Sequence, residues 1–172
     1  MTKAVILVAQ NFQDEEFVYP YYRMLEAGWT VDVASPEGVE MFGKYGVPAK
    51  VNKATNDLSP DDYDVVLIPG GFESPDRLRM RQEVLLFVWN MHRAGNLVAA
   101  ICHGPWVLIS AGIMRGIRAT CYASLKDDLI NAGAVYVDNI PVVTHSNLIT
   151  ASHYRDNGPF MKAVVEYVDA YA

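Results

Sequence analysis

The chain has 172 residues, of which 51% are hydrophobic and 20% are charged, a composition typical of one soluble globular domain with a sizeable core. Fourteen basic against twenty acidic residues give a formal net charge of −6 without any basic run, which argues against a nucleic-acid partner. The first apolar run, residues 4–9, is too short for a signal peptide, and no stretch is long enough to cross a bilayer. The chain has only two cysteines. Together these features predict a cytoplasmic protein with reduced thiols and no membrane association.

Short apolar runs alternate along the chain with stretches of helical periodicity. The apolar runs predict strands at residues 5–8, 30–34, 64–68, 97–101, 118–122, 135–137, 142–144 and 148–151. The periodic stretches predict a helix that carries Glu16 and ends at Gly28, then helices at residues 75–94, 105–111, 125–132 and 160–171. Residues 37–56 predict a small hairpin or surface excursion whose chemistry the sequence does not reveal. Strands that alternate with helices predict an α/β sandwich with a largely parallel sheet.

The strand predicted at residues 97–101 runs directly into a cysteine. Cys102 and His103 come next, Gly104 lacks a side chain, and Pro105 suits the first turn of a helix. This pattern predicts a nucleophile elbow, in which the chain turns at the glycine and the His103 amide helps to stabilise an oxyanion. A helix N-terminus also favours an anion, which predicts a lowered thiol pKa. The alternative is that Cys102 is a small core residue, as free cysteines often are.

Loops that follow predicted strands gather at one edge of the predicted sheet. They comprise residues 10–16, 69–76 and 102–106. Ligands of open α/β sheets bind in the crevice beyond the carboxyl ends of the strands. The three loops therefore predict a site at this edge.

Several motifs together resemble the ThiJ/PfpI superfamily, and most closely its PfpI-type intracellular protease and deglycase branch. They are Ala-Ile-Cys-His-Gly-Pro at residues 100–105, Pro-Gly-Gly at 69–71, Glu-Phe-Val-Tyr-Pro at 16–20 and Lys-Asp-Asp-Leu-Ile-Asn-Ala-Gly-Ala at 126–134. The similarity runs in register from the first strand to about Thr144. It implies a flavodoxin-like, amidotransferase-like three-layer sandwich, formed by a single domain over residues 1–172.

The resemblance also implies which residues form the site. Cys102 is similar to the family's elbow cysteine, and Glu16 to an acid whose protonated form hydrogen-bonds the thiolate. A carboxyl group buried beside another anion resists ionisation, which makes that role physically reasonable. The alternative for Glu16 is a solvated residue in the first turn of a helix. Gly70 and Gly71 are similar to backbone that supplies oxyanion donors together with the His103 amide; the alternative is an ordinary tight turn.

Other positions carry implied roles with open alternatives. His103 either acts as a base or points outward and contributes only its amide. Asp76 aligns with a glutamate that a neighbouring subunit supplies to complete a Cys-His-acid triad, but it is one methylene shorter and also suits a helix N-terminus. Tyr122 matches a pocket tyrosine, or is a half-buried strand aromatic. Cys121 is expected to be structural, and the sequence leaves a disulfide with Cys102 open.

Two functions of different kinds follow from the resemblance. The first is a cysteine-dependent hydrolase or lyase, of the protease, glyoxalase or deglycase type, in which Cys102 attacks a carbonyl group. Since no extended peptide cleft is indicated, small aldehydes or glycated proteins are the preferred substrates. The alternative is a redox, stress-response or chaperone protein that uses Cys102 as an oxidation sensor. The family implies a homodimer or higher homo-oligomer, and no cofactor or metal is predicted because the histidines lack ligand spacing.

Overall fold

Strands that are apolar on both faces form the centre of the structure, a computed structural model that describes residues 1–171. In chain order its elements are β1 (Lys3–Leu7), α1 (Asp14–Glu26), β2 (Thr30–Ser35), β3 (Met41–Phe42), β4 (Pro48–Ala49), β5 (Lys53–Ala54), β6 (Val65–Ile68), α2 (Glu73–Leu78), α3 (Gln82–Ala94), β7 (Leu97–Ile101), α4 (Pro105–Ser110), β8 (Arg118–Ala119), α5 (Lys126–Asn131), β9 (Val135–Tyr136), β10 (Val142–His145), β11 (Leu148–Ala151) and α6 (Asn157–Tyr171).

The main sheet has seven strands in the order β10-β11-β7-β6-β1-β2-β5. All neighbouring strands are parallel except β10, which runs antiparallel to β11. Strand β7 lies between β6 and β11, so both edges of its backbone are hydrogen-bonded. The carboxyl end of β7 is therefore a rigid support for the residues that follow it.

Different helices cover the two faces of this sheet. Because successive strand residues point to opposite faces, Val5 and Leu7 of β1 belong to one apolar cluster and Ala4 and Ile6 to the other. Buried side chains of α3, α4 and α5 complete the first cluster, and those of α1 and α6 complete the second. This arrangement confirms the predicted three-layer fold with a mostly parallel sheet.

The prediction of a single helix at residues 75–94 is wrong, because the structure has two helices there, α2 and α3. Arg81 separates them with an extended backbone, φ −98° and ψ 111°. The buried hydroxyl of Ser74 in α2 accepts a hydrogen bond from the Ala9 N–H at 2.9 Å. This contact ties α2 to the loop after β1, whereas α3 packs against β6 and β7 of the sheet.

Two shorter predicted segments, residues 37–56 and 118–122, can also be compared with the structure. The excursion at residues 37–56 contains the expected hairpin, formed by the antiparallel pair β3 and β4. The strand predicted at residues 118–122 ends at Ala119, and Tyr122 instead donates its N–H to the Cys102 carbonyl oxygen at 3.0 Å. Among residues 1–171, no helix has the length and apolar character needed to cross a membrane.

Candidate active site

Cys102 occupies a sharp turn between β7 and α4. Its backbone lies in the left-handed region with φ +62°, a conformation that costs a non-glycine residue roughly 1–3 kcal/mol. The turn is held on both sides, since the Cys102 N–H donates to Ala151 O at 2.9 Å and the Cys102 carbonyl accepts from Tyr122. A Cβ at Gly104 would lie 2.5 Å from Ile68 O, so only glycine fits there. This is the strand–turn–helix geometry predicted for a nucleophile elbow.

The carboxyl group of Glu16 is enclosed beside this cysteine. Glu16 is 0% exposed, and its Oε2 accepts a hydrogen bond from the Gly70 N–H at 2.6 Å. The other oxygen, Oε1, has no hydrogen-bond partner within the described part of the chain, and the Cys102 side chain is a polar neighbour of the carboxyl group. The alternative of a solvated residue on the helix surface is therefore wrong.

Gly70 does not have the role that the resemblance implied. Its only N–H is donated to Glu16, so it is not free to bind an oxyanion, which corrects that expectation. Glycine is still required, because a Cβ at this position would lie 2.5 Å from Glu16 Oε2 and 2.7 Å from Cys102 Cβ. The N–H groups of Gly71 and His103 remain as donors, and both favour the thiolate form of Cys102.

Burial determines the protonation of the acid and the thiol. It raises the pKa of Glu16 from 4.5 to about 8, partly offset by the hydrogen bond from Gly70, so this carboxyl is neutral at pH 7. Burial and then the charge of Glu16 raise the pKa of the Cys102 thiol. Burial opposes the lowering that the helix N-terminus predicted, because Cys102 is only 7% exposed and α4 is a short helix. A neutral Glu16 lacks the repelling charge and can donate a hydrogen bond to a thiolate.

The imidazole ring of His103 faces the sulfur, with Nδ1 at 3.2 Å from Cys102 Sγ. Side chains of adjacent residues usually point apart, but the positive φ of Cys102 turns the chain so that these two meet. Burial and then the charge of Lys44 lower the pKa of His103, which keeps the ring neutral and able to accept a proton at pH 7. Of the two open roles for His103, this geometry favours the base.

A cavity of about 520 Å³ opens at Cys102 and His103. Tyr122 lines it, as the resemblance implied. The His103 and Tyr122 rings stack with centroids 4.9 Å apart, and Tyr122 stacks in turn on His153 at 5.9 Å. Tyr122 and His153 also line a second cavity of about 360 Å³ that contains Cys121. These two rings therefore form a wall between neighbouring cavities.

The structure does not bring Asp76 to this site within the chain. Asp76 is exposed on α2, and its N–H donates to Phe72 O at 3.2 Å. The residues described as lining the cavity do not include it. Its implied role needs a second copy of the chain and stays a prediction. Cys121 is 1% exposed and both thiols are free, so the disulfide that the sequence left open is not formed.

Sequence reasoning missed the contribution of the excursion between β2 and β5. Lys44 and Tyr45 of that segment line the cavity together with Phe72. The available signal was the run Gly-Lys-Tyr-Gly at residues 43–46, in which two glycines indicate a tight turn that presents the side chains between them. No cluster of three or more His, Cys, Asp or Glu side chains in residues 1–171 could hold a metal ion.

Comparison with known proteins gives one consistent result. A family model described as the DJ-1/PfpI family matches residues 2–167. Deglycase PfpI of Pyrococcus furiosus is 37% identical over 164 residues, which cover 95% of this chain and 98% of that protein. The solved structure of Drosophila melanogaster DJ-1beta is similar with a TM-score of 0.91 and 28% identity, over 96% of this chain and 89% of that one.

A two-domain protein of Anabaena variabilis, containing DJ-1/ThiJ/PfpI-like and ferritin-like domains, is also similar. The TM-score is 0.95 and the identity 34% over 98% of this chain. The match covers 48% of that protein, so the present chain spans about half of its length.

Proposed function

The chain belongs to the DJ-1/PfpI family, and on that premise we propose that it is an enzyme whose Cys102 attacks the carbonyl carbon of small aldehydes or of glycation adducts on proteins. The observation that carries the proposal is the enclosure of one sulfur between two proton-transfer groups. Nδ1 of His103 lies 3.2 Å from Sγ, and the buried Glu16 carboxyl is a hydrogen-bonding neighbour of the same side chain. A relative that is named a deglycase supports glycation adducts as substrates.

The first step is addition of the sulfur to the carbonyl group. The S–C bond forms, the thiol proton passes to His103 Nδ1, and the electron pair of the carbonyl π bond moves to its oxygen. The Gly71 and His103 N–H groups, which already favour negative charge at the sulfur, are the donors nearest to that oxyanion. Glu16 stays protonated and contributes a hydrogen bond instead of a second negative charge.

The later steps need no external oxidant. With methylglyoxal, the protonated His103 returns its proton to the oxyanion, which gives a hemithioacetal. The neutral ring then takes the proton of the former aldehyde carbon and delivers it to the neighbouring keto carbon, while the hydroxyl proton shifts to the neighbouring oxygen. The first carbon is thereby oxidised to a thioester while the second is reduced to an alcohol. Water then adds to the thioester, the S–C bond breaks, the proton returns to sulfur and lactate leaves.

The shape of the cavity and the names of the relatives weigh against the other candidate functions. A cavity of about 520 Å³ suits a small electrophile or one modified side chain more than an extended peptide. An oxidation sensor requires an accessible thiolate. Cys102 is 7% exposed and burial raises its thiol pKa, but both properties bear equally on the attack that the enzyme requires. The relatives named deglycases are what favour the enzyme over the sensor.

Steady-state turnover of methylglyoxal and of a methylglyoxal-glycated N-acetyl-lysine tests the proposal. Cys102→Ala should reduce both reactions to the uncatalysed rate, because no other described cysteine lines the same cavity. Cys121→Ser is the matched control, and it should retain activity because Cys121 lies in the neighbouring cavity. A Cys102→Ala protein as active as the parent would exclude the mechanism.

A further inference from the structure

Lys44 is the cationic side chain in the cavity that contains Cys102. Its Nζ lies 5.8 Å from the ring centroids of both Tyr45 and Phe72, which line the same cavity. No carboxylate in residues 1–171 lies within ion-pair distance of it. Glu15, the acid in the lining, already accepts a hydrogen bond from Gln13 Nε2 at 2.5 Å. The ammonium group of Lys44 is therefore available to an anion that enters the cavity.

The backbone that carries Lys44 is fixed by a buried acid. Asp14 is 6% exposed, and its two carboxylate oxygens accept hydrogen bonds from the N–H groups of Tyr45 and Val47, each at 3.0 Å. The Lys44 N–H itself donates to Phe12 O at 2.9 Å. Because the turn is held on both sides of the lysine, only its side chain has to adjust when a ligand binds. Asp14 is thus a positioning residue for this turn.

The charge of Lys44 already acts on groups that flank the sulfur. After burial, it is the next cause of the lowered pKa of His103. It also opposes the rise in the pKa of Glu16, after the larger effects of burial, Gly70, Cys102 and the charge of Glu15, which raises that pKa. The ammonium group is therefore close enough to influence charge at the reacting centre.

We propose that Lys44 makes the cavity selective for electrophiles that carry a carboxylate near the reactive carbon over neutral electrophiles of the same size. The substrate class is an oxo acid, or a glycation adduct with a free carboxylate. The inference rests on the proposed role of Cys102 as the attacking group. An exposed ammonium binds a carboxylate as a point charge, and such an exposed pair contributes up to about 1 kcal/mol.

Alkylation of Cys102 by a matched pair of reagents tests this selectivity without any turnover. Iodoacetate and iodoacetamide have nearly the same size, and in both cases the sulfur displaces iodide as the S–C bond forms, while only iodoacetate is anionic. Because both reagents attack the same thiolate, the thiolate fraction cancels in the ratio of their rates. Peptide mass spectrometry restricts the measurement to Cys102.

The ratio of the iodoacetate rate to the iodoacetamide rate should fall about fivefold in Lys44→Met, which corresponds to about 1 kcal/mol at 1.4 kcal/mol per tenfold. Lys50→Met, an exposed lysine of the same excursion that does not line the cavity, is the control and should leave the ratio unchanged. Glu15→Gln removes the negative charge from the cavity and should raise the ratio. Salt should lower the ratio in the parent and not in Lys44→Met.

Equal ratios in Lys44→Met and Lys50→Met would overturn the inference. That result would leave the proposed function intact, since Cys102 would still be alkylated and methylglyoxal still consumed. Full activity of Cys102→Ala would instead exclude the proposed function, because the sulfur would then not be the reacting group. The inference about Lys44 would fail with it.

Discussion

Replacing Glu16 by glutamine tests whether the fold holds this acid in its neutral form. Glutamine keeps an oxygen that accepts the Gly70 N–H, now 2.6 Å from Glu16 Oε2, and its amide can donate toward Cys102. It never ionises. The variant therefore separates the hydrogen bonds of the side chain from its titration.

The expected magnitude follows from the shifted pKa. Because the pKa of Glu16 rises from 4.5 to about 8 and each pH unit is worth 1.36 kcal/mol, ionising this carboxyl in the folded protein costs roughly 5 kcal/mol more than in the unfolded chain. The unfolded chain loses the proton near pH 4.5, whereas the folded protein keeps it to about pH 8. The folded state then binds more protons, so the free energy of unfolding decreases as the pH rises through this window.

Urea unfolding of parent and Glu16→Gln at pH 5, 6.5 and 8 measures this term directly. The stability of the variant relative to the parent should increase steadily across the series, by up to about 1.4 kcal/mol for each pH unit. Glu40→Gln changes an exposed acid that does not act on Glu16, and this control should follow the parent. Parallel pH profiles for parent and Glu16→Gln would refute the conclusion that Glu16 is neutral in the folded state.

Two further substitutions test the geometry around the sulfur. His103→Gln should lower kcat/KM for methylglyoxal by about 10²–10⁴-fold, the usual contribution of a general base. The variant should also lose the acid limb of the pH–rate profile. In the parent this limb lies below pH 6.5, because burial and then the charge of Lys44 lower the pKa of His103. Activity within about threefold of the parent would exclude proton transfer by this ring. Gly70→Ala places a Cβ 2.5 Å from Glu16 Oε2 and should cost about 1–3 kcal/mol in urea unfolding. Gly158→Ala, whose added Cβ meets nothing within 4 Å, is its control, and equal stability of the two variants would contradict the close packing at residue 70.

Local patterns were sufficient for much of the fold but failed where a tertiary contact redirects the chain. The apolar run of β7, followed by Gly104 and Pro105, predicted the elbow, because strand, turn and helix preferences act over a few residues. The break between α2 and α3 carries no local signal of that strength. In α2, Ser74 accepts a hydrogen bond from the Ala9 N–H, 65 positions away, a contact that no local pattern reveals.

The sequence by itself determined that Cys102 follows a buried strand and stands at the start of a helix, because each element is set by neighbouring residues. Only the tertiary structure decided what surrounds the sulfur. The Glu16 carboxyl meets the Gly70 N–H across 54 positions of chain, and Lys44 reaches the cavity on a turn that Asp14 holds from 31 and 33 positions away. Protonation depends on burial and on nearby charges, and both are properties of the folded packing, which is why the local pattern could not reveal that burial opposes a lowered thiol pKa.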